Sequence, residues 1–581
     1  MKKYNVNFIN QNIKVSAAEG TILTDICKGA DIPLNMVCGG RGTCGKCAVE
    51  IEEEGKRSPV LACNTRLSRD INIYLQDEHG KNPSILESMN DFKFTFNPLM
   101  KKIYKSMEAL NTEGWNEILK NCHIDVLRDF SLLINKRDSE GITFVVYDDE
   151  VIDVQPGDTS EVLYGAAVDI GTTTVVMYVY DMRDAKSLGI YSGINSQFSL
   201  GADVISRISH AESDEGLEEL YEKIICTLNE LLQSAETEIP KLRDNLYNIV
   251  LCGNSTMQHL FLKLKPDGLG KSPFMSIAKG YVELSGKDAV LNCAARCRIV
   301  FLPILGGFVG ADTTAVLLTL DEDNEDNKVR LIIDLGTNGE IAAGSGNTYC
   351  TASAACGPAL EGGNVVCGMR GTEGAVERIE IYSNGVSIKT IGGGAPSGIC
   401  GSGIVDAVAG LLRNNIIDST GKMCSRDEYR QMNPYSKIGD NLTEIDGINS
   451  FVIYEDKDKT IYVNQKDIRQ IQLAKSSIYS GCAALLSACE KDAGDIDEVL
   501  VAGAFGNYID IENAVYIGLL PGTASKIRAI GNSAGKGASM FLMDRSMREK
   551  CDKITESSTH MELADNIIFA HGFIDNMNFK K

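Results

Sequence analysis

The stretch Ala167-Val168-Asp169-Ile170-Gly171-Thr172-Thr173-Thr174 sits between two apolar segments. An apolar strand, an Asp, then Gly-Thr-Thr and a second strand spell a hairpin whose turn can cradle phosphate. Backbone N–H groups and threonine hydroxyls donate to phosphate oxygens, and the Asp can hold Mg²⁺ directly or through water. The pattern recurs 165 residues later as Ile332-Ile333-Asp334-Leu335-Gly336-Thr337-Asn338-Gly339. A third segment, Leu500-Val501-Ala502-Gly503-Ala504-Phe505-Gly506-Asn507, is a strand running into a Gly-rich turn that allows close approach of an adenosine. One copy alone is often a plain hairpin. Three in this order, at the near-equal spacing 169, 334 and 503, are read together.

This reading makes Asp169 and Asp334 the candidate catalytic carboxylates. The candidate nucleotide contacts are Gly171, Thr172, Thr173 and Thr174 on the first turn, Gly336, Thr337, Asn338 and Gly339 on the second, and Gly503 and Gly506 on the third. No G-x-x-x-x-G-K-[ST] is present and no G-x-G-x-x-G follows a first strand, which excludes P-loop and Rossmann readings. The acidic run Asp321-Glu322-Asp323-Asn324-Glu325-Asp326 precedes the second copy as a solvated loop. Two similar halves joined by a polar loop predict two lobes with a cleft between them, about 163–325 and 331–581. Further Gly-rich segments, 357–363 and 392–403, are either tight turns or linings of that cleft.

Working toward the N-terminus, residues 99–162 read as a small α/β module. Met100, Ile103, Met107 and Leu110, then Leu127, Phe130 and Leu133, recur at helical spacing over 99–136. The segments 144–147 and 151–154 read as strands. Residues 81–98, with Pro83 and Pro98, read as a linker. Residues 1–80 read as a β-rich unit: a hairpin over 4–15, a helix capped by Thr21, and strands at 47–51 and 71–75. That unit holds ten basic and ten acidic residues, so the chain's net charge of −22 lies wholly downstream of it. The shift marks a boundary near residue 80.

The first unit carries Cys38, Cys44, Cys47 and Cys63 at C-x5-C-x2-C-x15-C spacing. Four thiolates are the ligand set of a [2Fe–2S] cluster, and three come from one loop because that loop must wrap the cluster. Glycines at 39, 40, 42 and 45 let the backbone turn its N–H groups toward the sulfurs, where hydrogen bonds tune the potential. A structural zinc site is the alternative, but there is only one C-x2-C pair and the Gly-rich x5 loop suits a zinc knuckle poorly. Cys27, on the helix, reads as a core residue.

Composition narrows the class. The 581 residues call for several domains. With 44% hydrophobic and 23% charged residues, the chain has ordinary globular values, so extensive disorder is excluded. A charge of −22 disfavours nucleic acid and anionic membranes as partners. No apolar run approaches a membrane span, and residues 1–7 lack a signal peptide's apolar core. A cytoplasmic protein is expected, with its eighteen cysteines unpaired apart from any metal ligation.

The cysteine loop resembles that of β-grasp ferredoxins of plant and vertebrate type, with a shorter final spacing to Cys63. The three glycine turns resemble the superfamily of sugar kinases, heat-shock chaperone ATPases and actin, whose two RNase H-like lobes close on ATP. The combination resembles the ATP-dependent reductive activators of corrinoid proteins. Further segments carry that resemblance: Gly201–Ile208, Gly253–Leu260, Gly310–Thr313, Gly357–Gly362, Gln465–Arg469 and Gly503–Tyr508. It implies a [2Fe–2S] cluster, ATP and Mg²⁺ as cofactors. It implies a corrinoid methyltransferase protein as partner, a low-potential electron donor such as a ferredoxin or reductase, and a homodimer. The implied reaction returns inactive Co(II) corrinoid to Co(I). Each 59 mV of unfavourable potential costs about tenfold in equilibrium for one electron, and ATP supplies the missing drive.

Three rival readings stand beside it. A metabolite kinase with a redox sensor would use Asp169 and Asp334 for Mg²⁺ and a substrate hydroxyl. An activator of 2-hydroxyacyl-CoA dehydratase type would need a shared [4Fe–4S] cluster, for which Cys350, Cys356, Cys367 and Cys400 are loosely spaced. A plain electron carrier would leave both phosphate turns unused. Arg41, Lys46 and Arg66 near the cluster are docking charges for a partner or ordinary solvated charge. His259 reads as a satisfied core histidine.

Overall fold

The computed structural model describes residues 2–9, 11, 13–30, 32, 34, 47–53, 56–74, 94–135, 140–320, 328–336, 338–506 and 508–579. Cys38, Cys44, Arg41, Lys46, Thr337, Asn507, the acidic run 321–326 and most of the linker 81–98 lie outside the described residues.

The N-terminal unit is a five-stranded sheet of β1 (Lys3–Phe8), β2 (Ile13–Ala18), β3 (Ala48–Glu53), β4 (Lys56–Leu61) and β5 (Ile71–Tyr74), in the order β2-β1-β5-β3-β4. The unit's first and last strands, β1 and β5, pair in parallel within it. Alternate residues Val6, Phe8, Val49, Ile51, Ile71 and Ile73 point to one face and bury against the helix Leu23–Gly29 through Leu23, Ile26 and Cys27. β4 escaped the sequence reading because Pro59 interrupts it, and it lies on the sheet edge, where proline costs no ladder bond. Thr21 donates its hydroxyl to Ala18 O (2.8 Å), two residues before the helix starts, so it closes a turn rather than capping the helix.

The next module corrects an expectation. Met100–Ser106, read above as helical, is strand β6, followed by the helix Met107–Glu113 and a second helix, Ile124–Ile134. β7 (Gly141–Tyr147) and β8 (Glu150–Pro156) complete the sheet, with β6 on one edge. Antiparallel pairing along all seven residues of β6 outweighs a three-residue apolar spacing. Every residue of β7 is buried. Ile142, Phe144 and Val146 face the two helices, while Val145 and Tyr147 join the core of the lobe that follows. Arg296 of that lobe bridges Asp129 and Asp153 of the module (2.5 and 2.7 Å).

The rest of the chain forms two lobes. The first has β9 (Tyr164–Ile170), β10 (Thr174–Asp181), β11 (Lys186–Ile194), β12 (Leu246–Gly253), β13 (Val282–Ser285) and β14 (Arg298–Phe301), in the order β11-β10-β9-β12-β14-β13. The second opens with β15 (Arg330–Leu335), β16 (Asn338–Ser345) and β17 (Thr348–Ala355). Two three-stranded sheets follow, from β18 (Ala375–Tyr382), β19 (Gly385–Thr390) and β20 (Gly398–Ile399), and from β21 (Leu442–Ile445), β22 (Ile448–Glu455) and β23 (Thr460–Asn464). β24 (Glu498–Ala502), β25 (Ile527–Gly531) and β26 (Thr559–His560) return to its main sheet, ordered β25-β24-β15-β16-β17-β26.

Both main sheets repeat one plan. Three strands joined by hairpins lie antiparallel, and two later strands add in parallel beside the first. The two-lobed architecture expected from the repeated motif is therefore present in the topology. The sequence did not reveal that the chain crosses back. The helix Ser533–Met543 buries Ala534, Ala538, Phe541 and Leu542 in the first lobe's core. It lies so close to the helix Ala311–Leu318 that a Cβ on Gly537 would meet Ala315 O at 1.8 Å. No helix among the described residues is long and apolar enough to cross a membrane.

Candidate functional site

The first predicted turn joins β9 to β10. Gly171 N donates to Thr174 O (3.1 Å), and a Cβ on Gly171 would lie 2.5 Å from that oxygen, so the tight turn admits only glycine there. Asn195 donates its side-chain amide to Gly171 O (2.9 Å) and its backbone N–H to Thr173 O (2.9 Å). The Arg207 guanidinium donates to Thr172 O, and Asn254 Nδ2 donates to Thr172 Oγ1 (2.9 Å). The carbonyls of all three turn residues are thus held from the protein side. In a planar trans peptide the N–H opposes the C=O, which aims the following N–H groups away from those donors.

Arg207 is fully buried and also donates to Gly201 O (2.9 Å) and Gln197 Oε1 (3.1 Å). Burial pulls its guanidinium down to about 9, against the pull of Asp203. It fixes the turn and places a positive charge beneath it.

The second turn joins β15 to β16, with Gly336 N donating to Asn338 O (3.0 Å). Gly339 packs its Cα against Ile478 of the helix Gln465–Ala488. The third segment is brought to the second because β24 pairs in parallel with β15, placing Ala502 opposite Asp334. Gly503 follows at φ +84°, with its Cα against the Asp334 carboxylate. Gly506, closing the short helix Gly503–Gly506, packs on Val501 O.

Carboxylates from both lobes converge around these turns. Asp334 and Glu340 are cross-strand partners in the β15–β16 hairpin. Glu361 reaches within 3.5 Å of where a Gly336 side chain would begin. Asp312, in the first turn of the helix Ala311–Leu318, comes from the first lobe, where Gly310 packs against Asn254. Burial, then the charges of Asp312 and Glu361, pushes Asp334 up to about 7. Burial pushes Asp312 up to about 6. Burial, then Asp312 and Asp334, raises Glu340 well above the usual carboxylate range. Asp169 pairs in register with Cys252 across β9 and β12, and its Oδ1 accepts from the Cys252 thiol at 4.0 Å. Among the described residues no three His, Cys, Asp or Glu side chains stand close enough to hold a metal ion by themselves.

Sequence reasoning did not assign Asn195, Arg207, Asn254, Asp312, Glu340 or Glu361. Arg207, Asn254, Asp312 and Glu361 lie inside the quoted segments 201–208, 253–260, 310–313 and 357–362, so a signal was present without a role. Glu340 was accessible only by counting register across the second hairpin.

In the N-terminal unit, Cys47 precedes β3 and Cys63 follows β4. Pairing of those strands and the bond from Ala62 N to Cys47 O (3.0 Å) bring their sulfurs to 3.2 Å. Both are buried, free thiols. Two thiols converging on one point fit two of the thiolate ligands an iron–sulfur cluster would need. Cys27 is a core residue, as expected. Arg66 donates to Gly20 O (2.9 Å), a structural tie. Cys350, Cys356, Cys367 and Cys400 hydrogen-bond separately to Thr559, Gly336, Thr460 and Val376, so they form no ligand set. His259 is fully buried, with Nδ1 on Ser255 O (2.8 Å) and Nε2 accepting from Ile277 N (3.1 Å), a satisfied core histidine.

Comparison with known proteins agrees along the chain. Residues 7–68 match the model of the 2Fe-2S iron-sulfur cluster binding domain, 164–325 that of the RACo middle region, and 328–581 that of the C-terminal, ASKHA domain of RACo. The chain is 39% identical, over 97% of both chains, to the corrinoid activation enzyme RamQ of Eubacterium limosum. It is 23% identical, over 72% of its own length and 77% of the other's, to a Co(II) methylated amine-specific corrinoid protein reductase of Methanosarcina barkeri. A solved structure described as a reductive activator for corrinoid, iron-sulfur protein superposes with a TM-score of 0.72 at 29% identity, covering 99% of this chain and 98% of that one. A cluster-binding domain with converging thiols, a two-lobed ATPase cleft and relatives along the full length have one common explanation: the chain belongs to the family of RACo-type reductive activators of corrinoid proteins, with an N-terminal 2Fe-2S ferredoxin domain and an ASKHA ATPase domain.

Proposed function

We propose that this protein uses ATP to drive one electron from its N-terminal [2Fe–2S] cluster to the inactive Co(II) corrinoid of a partner methyltransferase protein, returning Co(I). The observation that carries the reading is the union in one chain of the Cys47–Cys63 thiol pair with a cleft in which Asp334 meets Gly503 beside a second glycine turn. In this reading Cys38, Cys44, Cys47 and Cys63 hold the cluster, which supplies the electron. The Gly171–Thr174 turn and the Gly336–Gly339 turn, Thr337 included, take phosphate oxygens. Gly503 and Gly506 leave room for the adenosine. Asp169 and Asp334 would hold Mg²⁺, directly or through water, and Asp312, Glu340 and Glu361 would add to the negative field that draws it in.

Nucleotide can help only by binding two states of the complex with different affinity. ATP contacts both lobes in this reading, so it favours the closed cleft and changes how the partner is gripped. A low-potential ferredoxin or reductase refills the cluster, and the protein works in the cytoplasm as a homodimer. The sixteen described cysteines form no disulfide with one another, which suits a reducing compartment.

The test is anaerobic absorption spectroscopy of a Co(II) corrinoid protein mixed with this protein and a reductant, with ATP added last. A Co(I) band that grows only after ATP supports the proposal. Reduction to the same level without ATP sinks it.

A further inference from the structure

Arg370 belongs to the second lobe, yet its guanidinium carbon lies 4.5 Å from the centre of the Phe198 ring on the first. Phe198 is nearly buried and held close to the phosphate turn. Two residues just before it in the chain tie it there: Asn195 bonds Gly171 and Thr173, and Gln197 bonds Arg207, which bonds Thr172. Arg370 is near enough for its charge to oppose that of Arg207. A second-lobe cation is therefore stacked next to the first-lobe phosphate turn, across a cleft lined with carboxylates.

The Arg370 segment is also tied to a surface loop. Thr372 N donates to Arg370 O (2.8 Å), Gly374 N to Ile391 O (2.9 Å) and Ser397 N to Gly374 O (2.7 Å). Gly392, Gly393, Gly394 and Ser397 of that loop are exposed. The planar fork of a guanidinium matches phosphate oxygens. A cation–π contact is weaker than a charge-assisted bond to phosphate.

We infer that Arg370 is the cleft's reader of the ATP γ-phosphate: it trades the Phe198 face for the terminal phosphate and draws the 391–397 loop with it. The inference rests on the functional reading above and adds to it the residue by which ATP is told from ADP. It also gives the nucleotide a mechanical route to the protein surface.

The test is equilibrium binding of Mg²⁺ with ATP, AMPPNP or ADP to the full-length, cluster-loaded protein and to R370A, R370Q and R370K. The wild type is expected to prefer ATP and AMPPNP over ADP. R370A and R370Q should lose that preference through an ATP affinity about ten- to hundredfold weaker, with ADP affinity and cluster absorbance unchanged. R370K, a point charge without the fork, should lose part of it. Should R370A fail to fold, R370Q and R370K carry the comparison. A wild-type ATP-to-ADP ratio in these variants overturns the inference and leaves the functional reading intact. A wild type that binds none of the three nucleotides overturns that reading, and this inference with it.

Discussion

Gly503 is pressed against Asp334: a Cβ on Gly503 would lie 2.4 Å from Asp334 Oδ1. The contact follows from topology, because β24 runs parallel beside β15 and the two chains end their strands together. In open α/β sheets such carboxyl ends are where ligands bind. The third sequence motif is thus packed directly against the second.

The first prediction concerns that contact. In G503A the methyl must displace the Asp334 carboxylate, and φ +84° disfavours an L side chain by about 1–2 kcal/mol. ATP affinity should fall at least about tenfold, equivalent to ~1.4 kcal/mol, while the cluster spectrum stays unchanged. An isotherm equal to wild type would show that Asp334 is free to move and that the contact is incidental.

The two hairpin turns of the candidate site were legible in the sequence because their parts are local. A strand, an Asp and a glycine turn are written in eight consecutive residues, and two copies plus Gly503 suffice to announce two lobes. What stayed hidden depends on pairing and return paths. Glu340 joins the site through register with Asp334, and Asp312 through a helix that packs beside the distant segment 533–543. Met100–Ser106 was misread because this edge strand, with lysines at 101, 102 and 105, fully buries only Met100 and so carries no clean alternation to mark a strand.

The second prediction concerns pH. In the folded protein burial pushes Asp334 up to about 7 and Asp312 up to about 6, both above their ordinary value. Raised carboxyls bind protons more tightly folded than unfolded. Their contribution to stability is complete below about pH 4 and is lost as pH rises through 6 to 7. D334N should remove about 2 kcal/mol of that pH dependence, roughly half the full shift because the side chain is partly solvated. Denaturant unfolding of both proteins at pH 5 and pH 8 gives the comparison. Equal slopes with pH would mean that Asp334 is ionised throughout.

The third prediction follows from the same carboxyl. A cation that arrives with the nucleotide favours ionised Asp334, so Mg·ATP binding should release protons between pH 6 and 7 and tighten as pH rises to 8. Calorimetry in two buffers of different ionisation enthalpy measures the proton count. Net proton uptake, or none, in this range would contradict the placement of Asp334 beside the cation.

The fourth prediction concerns Arg207, whose guanidinium serves the carbonyls of Thr172 and Gly201 and the Gln197 amide from a fully buried position. R207M leaves those acceptors unserved and should cost about 2–4 kcal/mol in stability. R207K keeps the charge without the fork, so it should fold better than R207M yet bind ATP less tightly than wild type. Thermal unfolding and an ATP isotherm together separate the two effects. Wild-type ATP affinity in a folded R207M would show that the turn holds its shape without this support.

The last prediction separates the two halves of the protein. Cys47 and Cys63 converge at 3.2 Å, whereas Cys27 lies in the apolar core, where burial pushes its thiol up to about 12. A thiol that does not ionise near neutrality is a poor metal ligand, because ligation requires the thiolate. C63S should therefore lose visible absorbance and bound iron and sulfide, while C27S keeps both. The ATPase lobes have their own cores, with no residue of the N-terminal sheet in either. C63S should accordingly bind ATP as wild type does, yet leave Co(II) unreduced at any ATP concentration. Cobalt reduction at the wild-type rate by a clusterless C63S would show that the electron reaches the corrinoid without passing through this domain, and that ATP acts on the partner alone.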